Sequence, residues 1–167
     1  MSDTPHTHLP ETYTILVIAE PGSVSDHITS AIAKDRHLHL LGPYELGVDG
    51  VTQLRKNHVD CIILDIGMRS ENALVSLSRV LKVDKAAKVL MVSTLSFANF
   101  KNSLTGFDRG AADFVQIPAD FSKLKSRSEF DANLQRVTHA LSQARRADGV
   151  REIISKPPQP SPPTELP

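Results

Sequence analysis

The sequence has a single cysteine, no excess charge of either sign and no long apolar run. Cys61 excludes an intrachain disulfide and, inside an apolar segment, fits a reducing compartment. The 19 basic and 19 acidic side chains leave no global field that would attract nucleic acid or an anionic membrane. No stretch approaches the roughly 18 apolar residues of a membrane span, and the polar N-terminus is no signal peptide. These absences predict a soluble cytoplasmic protein that binds neither nucleic acid nor membranes.

The 167 residues divide into three parts by composition. Residues 1–12 are polar, with two histidines and two prolines, and are predicted to be a disordered lead-in. Residues 13–150 alternate strand-like and helix-like patterns over a length that suits one domain. Residues 151–167 form a proline-rich tail, predicted from Lys156 onward to be an extended, polyproline-like linker or ligand segment.

Five short apolar runs alternate with helical periodicities along the central part. The runs lie at 14–18, 37–41, 61–64, 89–92 and 112–116. Each is followed by apolar residues at helical spacing. Five strand–helix units predict a doubly wound α/β domain, with a five-stranded parallel sheet in the flavodoxin-like order 2-1-3-4-5.

Local signals predict where several helices begin and end. Ser23 with Asp26 and Ser128 with Asp131 are expected to cap the first and the last helix. Gly110 fits the C-terminal cap of the fourth helix. The apolar stripe of that helix is expected to pack in the core: Phe97, Phe100, Leu104 and Phe107.

Asp65 is poorly explained by packing, because it directly follows the apolar run Cys61–Leu64. Ligands collect outside the carboxyl ends of strands in open parallel sheets. Glu20 follows the neighbouring first strand, and Ser93 and Thr94 follow the fourth. Two converging carboxylates suit a hard divalent cation, beside which a carboxylate can act as a nucleophile toward a phosphoryl group.

Simpler interpretations of the same side chains stay open. Asp65 is also an ordinary residue for a turn after a strand, and Glu20 would equally favour the N-terminus of the first helix through its dipole. Ser93 would also satisfy local backbone groups. Phe114 is as well explained as part of the core.

Three fragments together resemble one known family. They are Asp65-Ile66-Gly67-Met68, residues 89–95 (VLMVSTL) and residues 110–115 (GAADFV). In this order and spacing the chain resembles, over about residues 13–147, a receiver domain of the bacterial two-component response regulators. Within that family the resemblance is greatest to the receiver of the chemotaxis protein-glutamate methylesterase.

The resemblance implies a role for each matching residue. It makes Asp65 the phosphoacceptor and Ser93 the hydroxyl that contacts the phosphoryl group. It makes Phe114 the aromatic switch of the fifth strand, without the usual tyrosine hydroxyl. Magnesium would be held by Glu20, Asp65 and the carbonyl of Gly67.

Three positions depart from the family pattern. The acidic pair after the first strand falls on Ala19 and Glu20, so one carboxylate is missing, and such losses commonly weaken metal affinity about 10–100-fold. The lysine after the fifth strand falls on Ile117, which removes a charge-assisted contact worth roughly 1.5–3 kcal/mol. Arg69 replaces a proline, and its side chain is one candidate to offset the missing lysine. Magnesium binding is therefore expected to be weakened.

The resemblance implies an atypical receiver of a phosphorelay. A histidine kinase or another signalling protein would be its partner, and output would run through the face of helix 4, strand 5 and helix 5, with exposed positions such as Asn99 and Lys101. The alternative is a pseudo-receiver that binds a partner protein independently of phosphorylation. A methylesterase activity is not expected, because no globular stretch follows residue 147. The chain is thus a fragment of a longer protein or a domain that stands alone.

Overall fold

Five parallel strands form one sheet with five helices packed on its two faces, in a computed structural model that describes residues 12–94 and 96–155. The strand order β2-β1-β3-β4-β5 confirms the predicted flavodoxin-like fold. The elements are β1 (Tyr13–Ile18), α1 (Ser23–Ala33), β2 (Leu38–Tyr44), α2 (Gly47–Lys56), β3 (Cys61–Asp65), α3 (Ala73–Val83), β4 (Val89–Thr94), α4 (Phe97–Asp108), β5 (Asp113–Ile117) and α5 (Leu124–Ser155). Most of the predicted lead-in and the proline-rich segment from 156 lie outside the described residues.

The central strands are apolar on both faces because helices cover both sides of the sheet. Along β1, Ile15 and Val17 face the core beneath α1 and α5, whereas Leu16 and Ile18 face the core beneath α2 and α3. All four are completely buried. Burying one such side chain contributes about 1.5–3 kcal/mol, so the apolar runs fix which strands lie at the centre.

The predicted N-terminal caps are wrong, and the predicted C-terminal cap is confirmed. Gly22 is the N-cap of α1 and makes no side-chain bond, so Ser23 already has helical backbone and cannot form a capping box with Asp26. Helix α5 begins four residues before Ser128, which therefore lies inside the helix. Gly110 directly follows the C-cap of α4 and has φ 110°, a conformation that favours glycine.

Helix α4 packs on the sheet through small residues, which corrects the prediction that its apolar stripe is core. Leu104 and Phe107 are 52% and 43% exposed, while Ser103 and Gly106 are buried. A Cβ on Gly106 would lie 2.3 Å from the sulfur of Met91, so glycine allows the helix to approach β4 this closely. The side chains of Phe97 and Phe100 lie outside the described part of the chain.

Helix α5 is far longer than the other helices. Its 32 residues span about 48 Å at 1.5 Å per residue. Residues 151–155, assigned from the sequence to the tail, continue this helix to Ser155.

Candidate functional site

A cleft of about 290 Å³ opens at the edge of the sheet where the strands end. Asp65 is the last residue of β3, and its Cα pairs with Val92 of the neighbouring β4, one residue before Ser93. Parallel strands place their carboxyl ends at one edge, so Asp65 and Ser93 both line the cleft, as the sequence predicts. Glu20 and Arg69 line it as well.

The Asp65 carboxylate is largely buried at the floor of the cleft. Its side chain belongs to a residue only 3% exposed, and its Oδ1 accepts a hydrogen bond from the N–H of Gly67 at 2.8 Å. Burial raises the pKa of Asp65, and the negative charge of Glu20 raises it further, against the opposing hydrogen bond from Gly67. A carboxylate with a raised pKa inside a cleft is a candidate for chemistry.

Ser93 and Asp65 converge on Gly67. A Cβ on Gly67 would lie 3.2 Å from Ser93 Oγ and 3.4 Å from Asp65 Oδ1. Ser93 is 1% exposed, and its hydroxyl donates to the carbonyl of Thr94 at 3.0 Å. The serine therefore bonds to local backbone and at the same time lines the space beside Asp65.

Glu20 lies in the cleft, but its carboxylate is bound to backbone. Its Oε2 accepts hydrogen bonds from the N–H of Arg69 at 2.9 Å and of Ser70 at 3.0 Å. The N–H of Arg69 is the main reason that the pKa of Glu20 lies below its ordinary value. No local pattern predicts this contact, because the donors lie 49 and 50 residues further along the chain.

The two positions that lack the family's charged residues belong to the core. Ala19 is 1% exposed, and its N–H donates to the carbonyl of Tyr44 at 2.9 Å. Ile117 is also 1% exposed and packs in the cluster that contains Val115 and Phe130. The side chain at position 117 therefore stabilises the contact of β5 with α5.

The remaining predicted residues have distinct positions. Phe114 is half-buried and packs on the opposite side of the sheet from Ile117, against the cluster beneath α2 and α3. Arg69 is exposed and close enough to Glu20 to lower the pKa of that carboxyl through its charge. A cation thus lies at the cleft, although the hydrogen bond to Glu20 is made by the backbone N–H of Arg69.

Asn99 is a cleft residue that was assigned from the sequence to the outer interaction face. Its Nδ2 donates to the carbonyl of Thr94 at 3.1 Å and would lie 3.4 Å from a Cβ on Gly67. Its own N–H donates to the hydroxyl of Ser96, the N-cap of α4. In the sequence, Ser96 lies three residues before Asn99, which is the spacing of an N-cap and the residue whose N–H it accepts. This spacing was the available signal that Asn99 lies in the first turn of a helix.

The oxygen donors that the cleft offers a magnesium ion are Asp65, Glu20 and the carbonyl of Gly67. Oxygen ligands are the kind that magnesium takes. Within residues 12–94 and 96–155, however, no three His, Cys, Asp or Glu side chains are grouped to hold a metal. The donors therefore fit magnesium in kind, and Oε1 is the oxygen of Glu20 that the two N–H groups leave open, since both bond to Oε2.

The structure has the fold of a response-regulator receiver domain. The receiver of CheB from Thermotoga maritima superposes with a TM-score of 0.64 at 21% identity, covering 78% of this chain and 97% of that chain. The receiver domain of NtrX from Brucella abortus gives 0.60 at 19%, covering 77% and 98%. The Mn²⁺-bound response regulator Rcp1 gives 0.59 at 11%, covering 72% and 90%.

In sequence, the chain is similar to the receiver region of protein-glutamate methylesterase/protein-glutamine glutaminases, which confirms the predicted resemblance. The Paramagnetospirillum magneticum protein is 29% identical over 133 residues, 80% of this chain and 35% of that protein. A Burkholderia thailandensis protein is 32% identical over 110 residues, 65% of this chain and 30% of that protein. The chain thus spans about a third of the length of these relatives. No family model matches the sequence.

The helices of the described residues also bear on membrane insertion. None of them is both long enough and apolar enough to cross a bilayer.

Proposed function

We propose that this chain is an atypical receiver module of a cytoplasmic phosphorelay. In this proposal Asp65 accepts a phosphoryl group slowly, and output is a protein–protein contact made by the face of α4, β5 and α5. The observation that carries the proposal is the convergence of the Asp65 carboxylate, the Gly67 N–H and the Ser93 hydroxyl in one cleft.

The chemistry proposed for Asp65 is transfer of a phosphoryl group from the phosphohistidine of a kinase. A carboxylate oxygen attacks phosphorus, an O–P bond forms, and the P–N bond breaks to leave histidine. The Gly67 N–H and the Ser93 hydroxyl lie beside the Asp65 carboxylate and are proposed to donate to the new phosphoryl oxygens. Only the charged carboxylate attacks, so the raised pKa of Asp65 moves the lower pH limit of the transfer upward.

Magnesium would be held by Asp65, Glu20 and the carbonyl of Gly67, and would neutralise charge on the transferring group. The transfer is proposed to be slow for two reasons. Glu20 is the one carboxylate left of the acidic pair, and its Oε2 already accepts the N–H groups of Arg69 and Ser70, which leaves Oε1 for the cation. In addition, Ile117 brings no cation to the cleft, because it is core.

The output face is supported by apolar side chains that the fold leaves in water. Leu104 and Phe107 are exposed on α4 one turn apart, and Phe114 is half-buried on β5. A separate shallow depression of about 390 Å³ between β5 and α5 is lined in part by Gln116 and Phe130. Adjacent exposed apolar residues are typical of protein-binding surfaces.

Titration of the chain with magnesium and beryllofluoride, followed by amide NMR shifts, tests the proposal. Shifts around Asp65 and Ser93 that extend to Phe114 are expected at millimolar magnesium. Labelling by acetyl phosphate that is lost in Asp65→Ala would identify the acceptor. If the shifts saturated at the low magnesium concentrations that suffice for a receiver with all of its acidic residues, the proposed weakening of the site would be contradicted.

The second candidate function is a pseudo-receiver that binds its partner without phosphorylation. It is favoured by Glu20, whose carboxylate already serves the backbone of Arg69 and Ser70. No response to magnesium and beryllofluoride, together with equal partner binding by wild type and Asp65→Ala, would support this function. Loss of partner binding in Asp65→Ala would exclude it.

A further inference from the structure

Three polar side-chain atoms converge on the space beside Gly67 in the cleft. The position that a Cβ on this glycine would take lies 3.2 Å from Ser93 Oγ and 3.4 Å from both Asp65 Oδ1 and Asn99 Nδ2. Glycine leaves this space open, next to the carboxylate that is proposed to accept the phosphoryl group. The serine hydroxyl and the asparagine amide are hydrogen-bond donors, which are the groups that phosphoryl oxygens require.

The orientation of the Asn99 amide is fixed from two sides. Its backbone N–H donates to Ser96 Oγ at 3.1 Å, which holds the residue in the first turn of α4. Its side-chain nitrogen lies 3.1 Å from the carbonyl oxygen of Thr94. Because a carbonyl only accepts hydrogen bonds, the amide atom that faces it is Nδ2 rather than Oδ1. The half-buried amide is therefore held in place before a ligand binds.

The carbonyl of Thr94 accepts hydrogen bonds from both donors of the cleft. Ser93 Oγ donates to it at 3.0 Å, beside the bond from Asn99. A hydroxyl has one hydrogen, so Ser93 must leave this carbonyl before it can donate to a phosphoryl oxygen. An amide nitrogen has two hydrogens, so Asn99 can keep its bond to Thr94 and donate to a ligand as well. Of the two donors, only the asparagine serves without breaking its present bond.

The positive charges that would bind a phosphoryl group are poorly placed in this cleft. Ile117, at the position of the family's lysine, is 1% exposed and belongs to the core. Arg69 lines the cleft, but its side chain is exposed, and water screening weakens contacts made by such a charge. A phosphoryl group on Asp65 would therefore depend more strongly on the neutral donors around it.

We propose that Asn99 is a phosphoryl-binding residue, whose Nδ2 donates to a phosphoryl oxygen on Asp65 while it keeps its bond to Thr94. This role rests on the proposed phosphorylation of Asp65 and names a further residue that stabilises its product. The amide donates a hydrogen bond and transfers no proton, so it takes no part in the making or breaking of covalent bonds. Its effect is on the affinity for the bound phosphoryl group.

Beryllofluoride, which takes the place of the phosphoryl group on the aspartate, tests this role in the full chain by NMR titration with magnesium present. Asn99→Ala removes the donor and is expected to weaken beryllofluoride binding roughly tenfold. Magnesium alone should bind this variant and wild type equally, because Asn99 is not among the proposed magnesium donors. The matched control is Asn102→Ala, one turn further along α4, which should bind beryllofluoride like wild type.

Two outcomes of this titration would overturn the role of Asn99. One is beryllofluoride binding by Asn99→Ala that equals the binding by wild type. The other is an equal loss of magnesium and of beryllofluoride binding, because the side chain would then only maintain the shape of the cleft. Asn99→Leu separates the donor from its bulk, since leucine has a similar branched shape and no polar atom. It should lose as much beryllofluoride affinity as Asn99→Ala, and wild-type affinity would also overturn the role.

The side-chain amide of Asn99 also gives a direct signal in wild type. Its two N–H resonances, assigned by their absence in Asn99→Leu, are expected to shift with beryllofluoride and not with magnesium alone. The side-chain resonances of Asn102 should stay in place. Unmoved Asn99 resonances, in a protein whose Asp65 and Ser93 amides shift, would overturn the role of Asn99 and leave the proposed phosphorylation standing. No shift at any of these positions would overturn both.

Discussion

Glu20 Oε2 accepts a hydrogen bond from the backbone N–H of Arg69 at 2.9 Å, and this bond joins the loop after β1 to the loop after β3. The second of these loops directly follows Asp65, the proposed phosphoacceptor. Glu20 therefore has two roles in one cleft, since Oε2 holds the loop while Oε1 is the oxygen left for a cation. Its charge also acts on Asp65, whose pKa it raises together with burial.

Glu20→Gln should separate these two roles. The amide oxygen can still accept the N–H groups of Arg69 and Ser70, while the negative charge near Asp65 is removed. We expect the pKa of Asp65 to fall toward its ordinary value, measured by an NMR titration of its carboxyl carbon. Glu45→Gln, on the exposed surface, is the control. An unchanged titration of Asp65 in Glu20→Gln would contradict the proposed electrostatic contact.

Asp65→Asn should make the protein more stable at neutral pH. The pKa of Asp65 is raised in the folded state, so the charged form opposes folding. This penalty is absent below the ordinary value of 3.8 and develops as pH rises through the folded-state pKa. Urea unfolding at pH 7 should therefore show a gain for Asp65→Asn that disappears near pH 3.5. A loss of stability at pH 7 would contradict the assigned cause.

The strands and the position of Asp65 were predictable because they depend on short stretches of neighbouring residues. An apolar run such as residues 61–64 has one good location, a strand covered on both faces, and this also determines where Asp65 emerges. The partner of Glu20 was not predictable in this way. It depends on how two loops meet across the sheet.

Helix orientation was the other feature beyond sequence reasoning. A stripe with Leu104 and Phe107 has the pattern of a buried face, yet α4 turns Ser103 and Gly106 inward instead. The missing side chain of Gly106 decides this, since it gives the helix room over Met91. The interpretation of Ile117 as the position of a missing lysine was incomplete, because it did not include the packing of this side chain in the core.

Gly67→Ala should close the cleft while the fold persists. The new methyl group would lie 3.2 Å from Ser93 Oγ and 3.4 Å from Asp65 Oδ1, in the space that a phosphoryl group needs. We expect the beryllofluoride response to disappear, with a modest loss of stability. Gly149→Ala is the control, because nothing lies within 4 Å of its Cβ. In helix α5 it should instead gain roughly 0.5–1 kcal/mol. A normal response in Gly67→Ala would move the phosphoryl site elsewhere.

Ile117→Lys should fail to restore a working receiver. The side chain at 117 is 1% exposed among apolar neighbours, so a lysine there would bury an unpaired charge. We expect the free energy of unfolding to fall by about 3 kcal/mol or more. Ile117→Val, the control, should lose only about 0.5–1.5 kcal/mol. Chemical denaturation measures both, and a stable Ile117→Lys protein with faster labelling by acetyl phosphate would refute this account.

Asp60→Asn should weaken the attachment of α5 to the base of the sheet. Burial raises the pKa of Asp60, but hydrogen bonds from Arg146 and from the N–H of Thr14 outweigh it and hold the pKa below its ordinary value. The stabilisation is therefore present above pH 3.8 and is lost as pH falls through the folded-state pKa. At pH 7 we expect a loss of about 1.5–3 kcal/mol in chemical denaturation, since the Arg146 side chain is 34% exposed and stays hydrated when Asp60 is neutral.

The matched control for this variant is Asp131→Asn, which removes the Lys34–Asp131 pair between α1 and α5 at the surface. Exposed ion pairs contribute about 0–1 kcal/mol to the free energy of unfolding, so the stability of this variant should remain close to that of wild type. The difference between the two variants should shrink as the pH is lowered below 3.8, because Asp60 then loses its charge in wild type as well. Equal losses at pH 7 would mean that the Asp60–Arg146 contact does not anchor the second half of α5.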